Sequence, residues 1–231
     1  MSTAVPRSVG APPLRQCEEL AKRDLRLEWR SGETMLVIAP FGAAALLLAP
    51  MAVGTNTPLL SRLGPGLYWL VVLLFGVLVT LRHSATETPA QLAVLRLCGI
   101  DPVVRLAARA VANTALLLLF EAILAPVAVV LYSPDLTGGW WLLPVLPLVA
   151  VGLAVLGTLA GALAHGLPGR TTLGPLLVVP IAVPLLLAAT QVQQAAQLGR
   201  VPWPWLVLVL TVDLFSTLLL VLVARHLEEL A

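Results

Sequence analysis

Long apolar runs alternate with short polar interruptions along most of the chain. Six runs stand out, at about Met35 to Val53, Leu67 to Leu81, Val111 to Leu131, Leu142 to Ala164, Leu173 to Thr190 and Trp203 to Ala224. Each is near the roughly 20 residues that a helix needs to cross a bilayer. The second run is short unless Leu63 to Gly66 adds a turn, and Pro180 with Pro184 is the place where the fifth could split in two. The pattern therefore predicts an all-α integral membrane protein with six transmembrane helices.

The longest polar-bearing interruption, Arg82 to Arg109, carries structure of its own. Thr88 before Pro89 is a cap residue ahead of a proline at the first helical position, where the missing N–H costs nothing. Gly99 should end that helix, and Asp101 before Pro102 repeats the start signal, so a second helix begins there and runs into the third span. The result is a hairpin over residues 82–105 whose short helix, Pro89 to Cys98, is about 15 Å long at 1.5 Å per residue. Leu92, Leu95 and Cys98 share one side of it, and Gln91 is among its polar positions. A protruding knob of this size is where a partner would drive the chain.

Ahead of the first span, residues 1–13 are small, polar and proline-bearing, and are expected to be disordered. Residues 14–34 form the next unit. Helical spacing puts Leu14, Cys17, Ala21, Leu25 and Trp29 on one side and Glu19, Arg23, Arg26 and Arg30 opposite, with Leu20 and Leu27 blurring the stripe. This reads as an interfacial amphipathic helix, with Arg23, Asp24, Trp29 and Arg30 at the membrane surface and its basic side toward anionic headgroups. The spanning domain, 35–231, follows.

Composition agrees with a membrane protein: 59% of residues are hydrophobic, 11% are charged, and mean hydropathy is +0.96. No apolar core followed by a small-residue cleavage site opens the chain, so a cleaved signal peptide is not expected. Six spans put both termini on one side, and the basic residues say which. With the N-terminus inside, the inner segments hold Arg7, Arg15, Lys22, Arg23, Arg26, Arg30, Arg82, Arg96, Arg105, Arg109, Arg170 and Arg225, against Arg62 and Arg200 outside. By the positive-inside rule both termini are cytoplasmic. Basic residues do not cluster with aromatics as nucleic-acid binding requires.

Catalytic and metal chemistry finds no support. The single lysine, Lys22, stands in AKRDL, so no phosphate-binding glycine loop with its lysine is present, and no GxSxG, HExxH or paired-aspartate motif occurs. Cys17 and Cys98 have no CxxC or metal spacing, and His83, His165 and His226 fall at cytoplasmic span ends where solvated histidines are common. Trp140, Trp141, Trp203 and Trp205 read as belt anchors at the outer headgroup level. Gly157 and Gly161, with Gly152 nearby, form a small-residue face for close helix packing, and Pro126, Pro180 and Pro184 should kink their helices.

Two acids lie where acids are expensive. Glu121 is twelve residues from Arg109 and Asp213 twelve from Arg225, about 18 Å in each case, so both fall near the bilayer midplane. Each must be protonated, paired or wet. Both are expected to face protein, either bridging helices or lining a gate, with hydrogen bonds to Thr211, Ser216, Thr217 or each other.

Four stretches carry a family likeness: AKRDLRLEWRS in the lead-in, GPGLYWLVVLLFGVL in the second span, QLAVLRL with the later Arg109 in the hairpin, and GPLLVVPIAVPLLLAA in the fifth span. In their order and spacing they resemble the haem exporter protein B family, over about Leu20 to Arg225. The chain departs from the family pattern in the hairpin, at Thr86-Glu87-Thr88-Pro89 and at Arg109, where a lysine is usual. The resemblance implies an export-type ABC permease fold in the bacterial inner membrane, acting in cytochrome c biogenesis. It implies a partner ATP-binding subunit on the cytoplasmic face, a second copy of the chain, and haem-handling membrane subunits of the maturation system. The hairpin, as the cytoplasmic loop long enough to hold a helix in a chain without its own nucleotide site, is where that partner is expected to dock, on Glu87, Pro89, Gln91, Leu92, Leu95, Arg96 and Asp101. ATP is then used by the partner, haem is handled by the complex, and no cofactor or metal is bound by this subunit itself. The alternatives are a permease for another cargo and, further off, a polytopic membrane enzyme.

Overall fold

A computed structural model describes residues 12–32, 34–54, 56–85, 97, 99–135, 137–164 and 170–229, and these are helical apart from short turns. Helix α1 spans Pro13–Ser31, opens with proline in its first turn and closes at Gly32, whose φ of 64° turns the chain toward the membrane. A π-helical turn, Thr34–Ile38, leads into α2, Ala39–Val53. The others are α3 (Thr57–Ala85), α4 (Pro102–Tyr132), α5 (Leu142–Ala164), α6 (Arg170–Gln197) and α7 (Trp203–Glu229).

Five of these helices, α3 to α7, are long and apolar enough to cross a membrane. The sixth expected span is a shorter apolar helix, Leu36–Ala52, which at 1.5 Å per residue is about 26 Å long. The second expected run proves longer than its apolar core suggested. Asn56 caps α3 through its Oδ1, 3.3 Å from the Leu59 N–H, and the helix then continues through Pro65. Pro180 and Pro184 do not divide the fifth: α6 passes through both as one helix.

Helix α5 is the axis of the bundle, packing against α3, α4, α6 and α7, while α1 lies on α4 and α2 sits between α3 and α4. The core is large and aromatic at one side, with Trp69, Phe120 and Tyr132 fully enclosed among leucines. Prolines account for one of its few long-range polar contacts. Pro50 has no N–H to offer the carbonyl of Leu46 four residues before it, and the Tyr132 hydroxyl donates to that carbonyl at 2.6 Å. This bond ties α4 to the short helix α2. Gly64 makes the same corner possible, since a Cβ there would lie 2.6 Å from Tyr132 Cβ.

Candidate functional site

The end of the bundle at which α4 begins starts at Asp101. Its carboxylate accepts a hydrogen bond from the Val103 N–H at 2.7 Å, Pro102 follows in the first turn, and Gly99 has a φ of 70°. The cap-then-proline reading of this junction is therefore what forms. The remaining residues assigned to partner docking, Glu87, Pro89, Gln91, Leu92, Leu95 and Arg96, lie outside the described residues.

Helix α1 packs on the bundle with an arc that shares Cys17, Ala21 and Leu25 with the stripe its periodicity suggested. Cys17, Leu20, Ala21, Asp24, Leu25 and Glu28 are buried or half-buried, whereas Leu14 and Trp29 are exposed at 83% and 75%. The packed arc is shifted toward Leu20 and Asp24 because α4 lies on that side, which leaves Trp29 at the edge of the contact. Asp24 turns inward and pairs with Arg23 at 3.3 Å, and Arg30 stays exposed in the last turn. Burial pushes the Cys17 thiol above its ordinary value. On the outer face Lys22 bridges to Glu18 at 2.6 Å, holding that carboxyl below the usual range. Lys22, Arg23, Arg26 and Arg30 make this face basic.

Inside the bundle the structure collects polar residues that periodicity did not single out. Asn113 on α4 donates to the Thr158 hydroxyl on α5 at 3.1 Å, and Thr158 donates to the Ala154 carbonyl at 2.7 Å. Thr80 on α3 seats on Gly157, where an added Cβ would collide with its side chain. Arg109, Asn113, Thr80 and Thr158 are all buried. Gly157 thus serves close helix approach, as its spacing indicated, and the neighbouring helix brings a threonine rather than an apolar side chain. In a uniformly apolar helix the only available signal for these residues was the polar atom itself.

Glu121 is 1% exposed and Asp213 is 5% exposed, so both acids face protein. Among the described residues neither carboxylate has a hydrogen-bond partner. The hydroxyls expected to support Asp213 are engaged elsewhere: Thr211 donates to the Val207 carbonyl at 2.7 Å and Thr217 to the Asp213 carbonyl at 2.8 Å. Threonine on a helix readily bonds the carbonyl four residues back, and that local bond wins here. The two acids do not bond each other either. Near Glu121 the Tyr68 hydroxyl reaches the main chain, donating to the Glu121 carbonyl at 3.1 Å, one residue before the carbonyl that Pro126 leaves without its helical donor.

At the opposite end of the bundle Trp140 and Trp141 lie with ring centroids 3.9 Å apart, and Trp203 meets Trp141 edge-on at 5.8 Å. Trp140 and Trp203 are mostly exposed, while Trp205 packs on the core. Among the described residues no three histidine, cysteine or acidic side chains gather as metal ligands would.

The chain is similar to known proteins over most of its length. It is 31% identical over 182 residues to a protein named heme exporter protein B from Haemophilus influenzae, covering 78% of this chain and 82% of that one. A protein of the same name from Rhodobacter capsulatus is 32% identical over 180 residues, covering 77% and 83%. A third, from Paracoccus denitrificans, is 30% identical over 193 residues, covering 83% and 88%. The profile of the CcmB protein family matches residues 15–227, and the chain belongs to that family.

Proposed function

We propose that this chain is the membrane-spanning subunit of an ABC transporter that serves haem export in bacterial cytochrome c biogenesis, driven by a separate ATP-binding subunit. The observation that carries the reading is the family match over residues 15–227, together with relatives named for haem export at about 30% identity. The subunit has six spans, with α2 as the first, and both termini in the cytoplasm of a cell whose inner membrane it crosses. It is not itself an enzyme. ATP binds the partner, and haem is cargo of the whole assembly rather than a cofactor of this chain.

The mechanical logic rests on α4. The hairpin that holds Glu87, Pro89, Gln91, Leu92, Leu95 and Arg96 ends at Asp101, and the next residue begins a 31-residue helix that runs the depth of the bundle. A helix of about 46 Å transmits a push at its capped end along its whole length. Along it lie Arg109, Asn113 and Glu121, all buried, with Asn113 bonded to α5 and the Glu121 carbonyl to α3, so displacement of the hairpin would rearrange the polar core rather than a lipid-facing surface. Helix α1, lying on α4, rests its basic face on anionic headgroups and fixes the height of that entry. A second copy of the chain and haem-handling membrane subunits complete the assembly.

Deletion of the gene followed by complementation tests the proposal. Wild-type chain should restore covalently haem-stained c-type cytochromes. Full cytochrome c maturation without the chain would contradict it and point to another cargo.

A further inference from the structure

Asp213 and Ser216 lie three residues apart on one face of α7, 5% and 0% exposed. Both carboxylate oxygens of Asp213 and the Ser216 hydroxyl are buried without a hydrogen-bond partner among the described residues. The Asp213 side chain enters space that Gly152 leaves open on α5. A Cβ at Gly152 would collide with Asp213 Oδ1 and lie 2.8 Å from Leu185 Cδ2 on α6. Three helices therefore meet around this carboxyl group.

Among the described residues no cation is placed to neutralise it. The helices packed on α7 are α4, α5 and α6. Helix α5 has no acidic, basic or histidine residue, and α6 has only Arg170, about 22 Å along its axis from Leu185. On α4 the charged groups are Arg105 and Arg109 near its start, and Glu121, which is itself an acid. On α7 the nearest are Arg225 and His226, about 18 Å and about 20 Å farther along, followed by Glu228 and Glu229. An unpaired ionised carboxylate at this depth is strongly disfavoured. A metal cation needs about six oxygen ligands, and the notch is already filled by Asp213 and Leu185. The ligand that requires no volume and no counter-ion is a proton.

We propose that Asp213, with Ser216 and the Gly152 notch, is a buried proton-binding site that latches α7 to α5 and α6. The neutral carboxyl packs into the notch. When α7 moves off Gly152 and water enters, the carboxyl O–H bond breaks, the proton passes to water, and the carboxylate left behind holds the helices apart until a proton returns. This goes beyond the transporter reading and does not depend on the cargo.

Infrared spectroscopy of the full-length protein in lipid, grown with 13C-aspartate, tests it. The chain has four aspartates; Asp24, Asp101 and Asp135 each accept hydrogen bonds from side-chain or main-chain donors, and those from Thr137 hold the Asp135 carboxyl below its ordinary value. At neutral pH one isotope-shifted carbonyl band of a protonated carboxyl is expected, absent in Asp213→Asn and moved by Ser216→Ala. Isotope shifts confined to carboxylate bands would overturn the site. The unsubstituted spectrum decides this even if Asp213→Asn fails to fold. Spin labels at the exposed Leu143 and Leu210 test the latch: their separation should widen as the band is titrated away, and an unchanged separation across that titration would refute it.

Discussion

Close contacts at single residues make the sharpest predictions. Gly157 has Thr80 against it, whereas Gly66 has nothing within 4 Å of an added Cβ. Gly157→Ala should therefore destabilise the bundle by about 1–3 kcal/mol through overpacking, and Gly66→Ala should not. Thermal unfolding in lipid reads the difference, and equal behaviour of the two variants would contradict the packing. The Asn113–Thr158 hydrogen bond should show a coupling of about 0.6 kcal/mol, and at most about 1.7, in a double-mutant cycle. Additive single effects would mean that the two side chains do not interact. Cys17 supplies a pH test. Because burial raises its thiol, less thiolate is present at a given pH, so alkylation in a Cys98→Ser background should be slower than in unfolded chain. The rate should climb at higher pH than for a free thiol. Labelling as fast as in the unfolded chain would place Cys17 off the α4 contact.

At the scale of elements, what could be read from the sequence divides along a physical line. Local backbone chemistry was legible: the Asp101–Pro102 start of α4 forms as spelled, because capping depends on neighbours two residues away. The start of α3 was not legible from hydropathy, since Asn56 to Pro65 reads as a polar, proline-bearing loop although its cap and helical geometry continue the helix outward. Inner and outer faces of the spans were also hidden. In lipid both faces are apolar, so periodicity cannot tell Asn113 or Thr158 toward protein from the same residues toward lipid. Glu121 and Asp213 announced their depth because a charge is conspicuous there, but Thr211 and Thr217, two of the three supposed hydroxyl partners, bond carbonyls of their own helix instead. For α1 the basic arc was clear, whereas the packed arc shifted toward Leu20 and Asp24 once α4 was in place. Trp29, exposed at the edge of that contact, should reach the headgroup layer. Its fluorescence, taken as the difference from Trp29→Phe, should be quenched by brominated lipid and spared by aqueous iodide; the reverse would lift α1 off the membrane.

For the whole molecule, the family, the buried polar core around α5 and the long capped helix α4 support the proposed reading of a membrane subunit driven through residues 82–105. The central claim is that this push comes from a separate ATP-binding subunit seated on Leu92 and Leu95. Both positions lie outside the described residues, and aspartate there would place charge in the proposed apolar contact. The most direct measurement is co-purification of the ATP-binding subunit with tagged wild-type chain and with Leu92→Asp/Leu95→Asp, alongside ATP hydrolysis by each preparation. The wild-type chain should retain the ATPase, while the double variant should insert normally, lose it, and lose coupled hydrolysis. Undiminished co-purification and hydrolysis with the double variant would contradict the claim.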